Sequence, residues 1–254
     1  MRKSPVVMIH GAFCGSWSLD GLKEKFQAAS YAVSAPPLRF HDENRSSPAL
    51  ATTGLADYAA DLEEEIRALK APPILVGHSM GGLLAQMLAA RVKVAALILL
   101  APSPPWGVAP TTLFEIGAAH AMHLQPGHWN QVLEPNRDVA LAHSLDRLPR
   151  EMRDEVYGRF VAESGRAMFE VMNWALDFNQ ASAVDAKSVT APMLFLTGSE
   201  DKINPPSTVK NIAKLYGDRA TAEVLDGMGH WLIGETGWEK LAQRVLAWLK
   251  AQKL

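Results

Sequence analysis

The stretch that decides the architecture is Pro72-Pro73-Ile74-Leu75-Val76-Gly77-His78-Ser79-Met80-Gly81-Gly82, continued by LLAQMLAARV. A continuously apolar run of strand length enters a turn in which glycines flank a serine, and an apolar segment of helix length leaves it. This is G-x-S-x-G placed between strand and helix. Such a turn holds its central residue in strained backbone geometry, so glycines on either side are needed to avoid clashes. The serine hydroxyl then projects past the end of the sheet. The N–H of the next residue, Met80, points with the helix N-terminus toward any negative charge that develops there. A plain glycine turn is the alternative reading of the pentapeptide, and the strand–turn–helix setting weighs against it. Ser79 is therefore a candidate nucleophile.

Outward from this turn, short hydrophobic runs alternate with helix-period segments. Residues 5–11 (PVVMIHG), 73–77 (PILVG), 94–100 (VAALILL) and 192–197 (PMLFLT) are continuously apolar. Strands covered by helices on both faces read this way, which implies an α/β fold with a parallel sheet. Residues 220–225 (ATAEVL) look like a further strand, and residues 31–35 like a weaker one. Between them, Leu55, Tyr58, Leu62, Ile66 and Leu69 recur every three or four positions, with Asp61, Glu63, Glu64 and Glu65 on the remaining face. That acidic run reads as a solvated helix surface rather than a docking face. Trp238, Leu241, Val245, Leu246 and Leu249 form a second core-facing stripe near the end.

One region interrupts the alternation. Residues 103–187 leave the strand through PSPPWGVAP and then read as several helices with no convincing strand. Connections are usually short, so a segment of this length between two core strands suggests an inserted helical lid. The expected organisation is a core domain of residues 1–102 and 188–254, with residues 103–187 as the cap.

A serine hydroxyl is a poor nucleophile unless a base accepts its proton. Of the eight histidines, His10 and His78 sit inside glycine motifs beside strands and read as loop stabilisers. His41 and His143 lie in polar, loop-like stretches. His120, His123 and His128 fall in the expected cap, but no neighbouring acid or H-E-x-x-H pattern supports a metal there. His230 lies in Asp226-Gly227-Met228-Gly229-His230-Trp231, a glycine-loosened loop just after the last strand. Loops at the carboxyl ends of strands are where doubly wound folds build their sites. The acid should follow another strand end, and Gly198-Ser199-Glu200-Asp201-Lys202-Ile203-Asn204-Pro205 offers both Glu200 and Asp201. After VAALILL, by contrast, no carboxylate appears before Glu115. A second oxyanion donor is expected in His10-Gly11-Ala12-Phe13-Cys14-Gly15-Ser16-Trp17. Ala12 N–H is the first choice, with Phe13 as the alternative donor or a wall of the pocket. Cys14 has no paired base in its context and reads as a packing residue.

HGAFCGSW, GHSMGG, TGSEDKINPP and GMGHW, in this order, resemble the α/β-hydrolase superfamily over nearly the whole chain, closest to its small esterase, lactonase and arylesterase-like branches. The resemblance selects Asp201 over Glu200, because G-x-x-D-x-I-x-P aligns Gly198, Asp201, Ile203 and Pro205. It implies a mostly parallel eight-stranded sheet, a helical cap after the sixth family strand, and a Ser79–His230–Asp201 triad with Ala12 and Met80 as oxyanion donors. It implies no cofactor. Dehalogenases and epoxide hydrolases of this fold carry aspartate where this chain has Ser79, and plant-type hydroxynitrile lyases carry lysine where it has Trp231. The D-x-R-G-x-G loop of many members is replaced by APPLRFHDEN.

The expected substrate is a small or medium carboxylic ester with an apolar part. Phe13, Trp106, Trp129, Trp174 and Trp231 are candidate pocket residues among the aromatic side chains, most of which serve packing. A net charge of −2, from 25 basic and 27 acidic side chains, offers no basic surface for nucleic acid or membrane. No apolar stretch approaches the roughly 20 residues that span a bilayer. The basic start MRKSPVVMIHG lacks the apolar core of a secretory signal, and the single Cys14 cannot form an intrachain disulfide, so a cytoplasmic location is expected.

Overall fold

The continuously apolar runs become the interior strands of one parallel sheet. The computed structural model describes residues 3–41, 47–123 and 127–254. The strands, in chain order, are β1 (Val6–Ile9), β2 (Val33–Ser34), β3 (Ile74–His78) and β4 (Ala96–Leu100), then β5 (Val132–Leu133), β6 (Glu163–Ser164), β7 (Met193–Gly198) and β8 (Ala220–Leu225). Six of them form the main sheet in the order β2-β1-β3-β4-β7-β8, and every pairing within it is parallel. All residues of β1, β3, β4 and β7 are buried, whereas those of the edge strand β8 are half-buried or exposed.

Side chains that alternate along each strand feed two separate cores. Val7, Ile9, Leu75, Leu97, Leu99 and Phe195 face one layer, formed by α2 (Leu55–Arg67), α3 (Met80–Ala89) and α8 (Pro206–Lys214). Val6, Met8, Val76, Ile98, Leu194 and Leu196 face the other, formed by α1 (Asp20–Ala28) and α9 (Trp238–Ala251). Both expected stripes lie on these helices. Leu55, Tyr58, Leu62 and Ile66 anchor α2, and Leu241, Val245, Trp248 and Leu249 anchor α9.

Two expectations are corrected. The sheet has six strands among the described residues rather than the eight implied by the resemblance, because β2 closes one edge beside β1 and β8 closes the other. Residues 103–187 are not free of strand either. They carry α4 (Leu113–His123), α5 (Arg137–Val139), α6 (Arg150–Gly158) and α7 (Gly165–Met172), together with an antiparallel β5–β6 pair. Each of those strands is two residues long, too short to leave a periodicity in sequence.

The strand order reverses between β1 and β3, where the chain first builds outward to β2 and then returns to the other side. In open α/β sheets, ligands bind beyond the carboxyl ends of the strands at such a switch point. The Ala12 loop leaves β1 there and Ser79 leaves β3.

Candidate active site

Ser79 adopts φ 53° and ψ −121°, a left-handed conformation that side chains other than glycine rarely take. The surroundings hold it there. Ser79 N–H donates to Leu100 O at 3.0 Å, and its carbonyl accepts from Gly82 N at 2.9 Å and Ser103 N at 3.0 Å. The turn tolerates no side chain at its glycines. A Cβ on Gly77 would lie 2.3 Å from Gly81 O, and one on Gly81 would lie 2.2 Å from Ile9 O. The glycine spacing is thus a packing requirement of strand, turn and helix together. The β1 loop also reaches this point, since a Cβ on Gly11 would stand 3.0 Å from Ser79 Cβ.

His230 is brought over the serine from a loop beyond β8. Its Nε2 lies 3.2 Å from Ser79 Oγ, and its Nδ1 lies 3.1 and 3.0 Å from Asp201 Oδ1 and Oδ2. A carboxylate facing Nδ1 requires the proton on that nitrogen, which leaves Nε2 able to accept from the serine hydroxyl. Asp201 is held in turn: Oδ1 also accepts from Ile203 N and Asn204 N, both at 2.9 Å. Asn204 Nδ2 ties this turn to Ala101 O at 2.8 Å. Asp201 and His230 are both almost wholly buried.

The remaining candidates are distributed as follows. Met80 begins α3, so its N–H belongs to the first helical turn beside Ser79. Phe13 has φ 60°, and its N–H donates to Glu163 Oε2 at 3.3 Å, so this amide is engaged away from Ser79. Trp231 is 4% exposed and packs against Trp17, His78 and Phe160, which makes it a core residue under the His230 loop instead of an open pocket wall. Trp106 and Trp174 meet edge to face with centroids 5.4 Å apart, and Trp129 packs on His128 and Phe169. Burial pushes the Cys14 thiol far above its usual range, consistent with a packing role. His128 is fully buried, and the His123 side chain lies outside the described residues. Among the described residues, no group of three or more His, Cys, Asp or Glu side chains could hold a metal ion, and no helix is long and apolar enough to cross a membrane.

His78, read as a loop stabiliser, holds the His230 loop, while the burial of His41 and the place of Glu235 escape the sequence reading. His78 donates from Nε2 to the backbone carbonyl of His230 at 2.9 Å, and burial with the nearby His230 ring lowers its pKa to about 3. His41, expected in a polar loop, is buried on Glu163. Glu235, 2% exposed, accepts from Gly229 N at 2.7 Å beside His230, and burial raises its pKa to about 7. Buried polar groups of this kind leave no periodic signal, since the contacts join distant segments.

The model of the alpha/beta hydrolase family matches residues 6–244, and the chain belongs to that family. In sequence, the chain is 24% identical over 226 residues to a pyrethroid hydrolase of Sphingobium wenxiniae, covering 85% of this chain and 78% of that one. It is 25% identical over 247 residues to the sn-1-specific diacylglycerol lipase ABHD11 of Mus musculus, covering 89% and 75%. Among solved structures, the methylesterase MES16 from Arabidopsis superposes with a TM-score of 0.75 at 16% identity, covering 98% of this chain and 99% of that one. The family membership and the two sequence relatives support hydrolase activity in general, and the structural likeness shows the fold.

Proposed function

We propose that the protein hydrolyses small to medium carboxylic esters with an apolar part, by acyl transfer through Ser79. The observation that carries this reading is the continuous hydrogen-bonded line from Ser79 Oγ through His230 to Asp201, set on a strained turn. His230 Nε2 takes the hydroxyl proton as Oγ bonds to the substrate carbonyl carbon, while Asp201 orients and stabilises the imidazolium. The tetrahedral oxyanion is stabilised by the N–H groups of Met80 and Ala12. The engagement of Phe13 N–H with Glu163 favours Ala12 as the second donor. His230 returns its proton to the leaving alcohol oxygen as the carbon–oxygen bond breaks. Water, deprotonated by the same imidazole, then attacks the acyl-enzyme and releases the acid. No cofactor enters this scheme.

Residues 103–187 serve as a cap over the reacting groups. Lys202 Nζ meets Asp146 Oδ2 at 2.6 Å, and Arg147 Nε donates to Gly227 O at 3.1 Å, so this segment touches the loops of both Asp201 and His230. Trp106, Trp129 and Trp174 remain the candidate apolar contacts for the acyl or alcohol group, with Phe13 beside them. The likeness to a diacylglycerol lipase supports an ester over an amide. The deciding experiment is Ser79→Ala, assayed with p-nitrophenyl esters of graded chain length and a fluorophosphonate label. Turnover and labelling should both disappear while the melting temperature is kept. Retained turnover in the variant overturns the assignment.

A further inference from the structure

Glu163, on β6, is a carboxylate with no exposed atom that serves four donors from four parts of the chain. Oε1 accepts from Tyr58 Oη on α2 and from Ser164 N, each at 2.7 Å. Oε2 accepts from His41 Nε2 at 3.0 Å and from Phe13 N at 3.3 Å. Burial opposes its ionisation, but the His41 charge and these donors outweigh it and hold the carboxyl below its ordinary value. The ring of His41 agrees with this, since Nδ1 faces Arg39 O at 3.0 Å and Nε2 faces the carboxylate. Two acceptors require two N–H groups, hence an imidazolium. His10, beside it with ring centroids 5.3 Å apart, stays neutral because burial and the His41 charge lower its pKa to about 4.

The same cap segment grips residue 13 twice. Glu163 takes the Phe13 N–H, and Val161 N donates to the Phe13 carbonyl at 2.9 Å. Phe13 sits at φ 60°, a strained conformation that persists only where surroundings over-determine it. Ala12, the preceding residue, follows the glycine that approaches Ser79. We infer that Glu163 is a positioning residue: together with Val161 it fixes the Ala12–Phe13 backbone, and through it the direction of the Ala12 N–H toward the substrate oxyanion. The proposal rests on the acyl-transfer reading above and adds to it a coupling between cap and oxyanion site. A cap that shifts away from residue 13 would lower transition-state stabilisation without moving serine, histidine or aspartate.

The test compares Glu163→Gln with Glu170→Gln. Glu170 is a neighbouring buried carboxylate that also joins the cap segment to the core, through Leu55 N at 2.7 Å, and is paired within its own helix to Arg166 Nε at 2.6 Å, but among the described residues it makes no hydrogen bond to residue 13. Glu163→Gln should lower kcat on the order of 10- to 100-fold, less than outright loss of an oxyanion donor, with KM changed by less than about threefold. The inhibition constant of a trifluoromethyl ketone, which adds Ser79 Oγ and leaves an oxyanion in the site, should rise in step with the loss of kcat. Glu170→Gln should lower the melting temperature and leave kcat and the ketone affinity near wild type. If Glu163→Gln does not fold, an amide-to-ester change at Val161 replaces the N–H donated to Phe13 by an ester oxygen and should give the same parallel loss. Wild-type kcat and ketone affinity in Glu163→Gln, or in the Val161 ester where that alone folds, overturns the positioning role. Activity that survives Ser79→Ala overturns the underlying mechanism instead, so the two failures are distinct.

Discussion

His78, one residue before the serine, holds the backbone carbonyl of His230 from a chain distance of 152 residues. Its Nε2–H is committed to that carbonyl, and Nδ1 is buried with no partner among the described residues. The strand that delivers the serine therefore also sets the height of the histidine above it. The imidazole must stay neutral to do so without burying a charge.

His78 should consequently show no titration between pH 5 and 8 in NMR spectra of the imidazole nitrogens, in keeping with a pKa near 3. A histidine pKa below its unfolded value means that the unfolded chain binds more protons below about pH 6.5. His78 and His10 should thus both erode stability as pH falls from 6.5 toward 4. His78→Leu should leave the His230 carbonyl unpaired and cost about 1–3 kcal/mol in urea unfolding, with a lowered kcat. A His78 resonance that titrates near pH 6.5 would contradict this account.

Asp201→Asn should lower kcat by about 10⁴-fold while the fold persists. The amide oxygen can still accept from Ile203 N and Asn204 N, so the turn is kept. What changes is the tautomer: an amide N–H facing His230 Nδ1 forces the proton onto Nε2, where it can no longer be taken from serine. Steady-state kinetics beside a thermal melt separate the two effects.

Gly81→Ala should fail to give a native elbow. The new Cβ would meet the Ile9 carbonyl at 2.2 Å, and backbone on both sides leaves nothing flexible to yield. Overpacked cores typically lose about 1–3 kcal/mol, and a clash with main chain belongs at or beyond the upper end. Chemical denaturation or soluble expression would reveal it; a variant as stable as wild type would show that β1 and α3 do not pack as described.

Glu235 predicts a pH effect of opposite sign to that of the histidines. Its folded pKa, near 7, lies above the unfolded value, so the folded state holds the proton more tightly. The stabilising contribution is complete below about pH 4.5 and is lost as pH rises through 7. Glu235→Gln keeps an oxygen for Gly229 N–H but cannot ionise, so it should raise the melting temperature at pH 8 and change it little at pH 4.5. Melts of both proteins across this range provide the check, and a variant less stable at pH 8 would refute it.

The elbow was legible because its requirements are local. Strand, turn and helix are contiguous, and each glycine answers to a steric demand of its neighbours. The sheet was legible through the continuous apolarity of β1, β3, β4 and β7, which burial on both faces imposes. The edges were legible too, β8 at residues 220–225 and β2 within residues 31–35; the count of eight came from the resemblance alone. Trp231 read as a pocket wall because its place beside the histidine says nothing about which way its ring turns. His41 and Glu163 were hidden for a different reason, since a buried ion pair joining residues 122 positions apart has no sequence period to betray it.

The span between Ser79 and His230, 151 residues, gives the protein a chronology. On the proposed mechanism, the nucleophile emerges during synthesis long before its base, and an unassisted serine is chemically inert. Only when the last loop docks does the hydroxyl become reactive. On that mechanism a nascent or partly folded chain would be harmless to surrounding esters, and the recovery of activity on refolding would report the docking of the His230 loop.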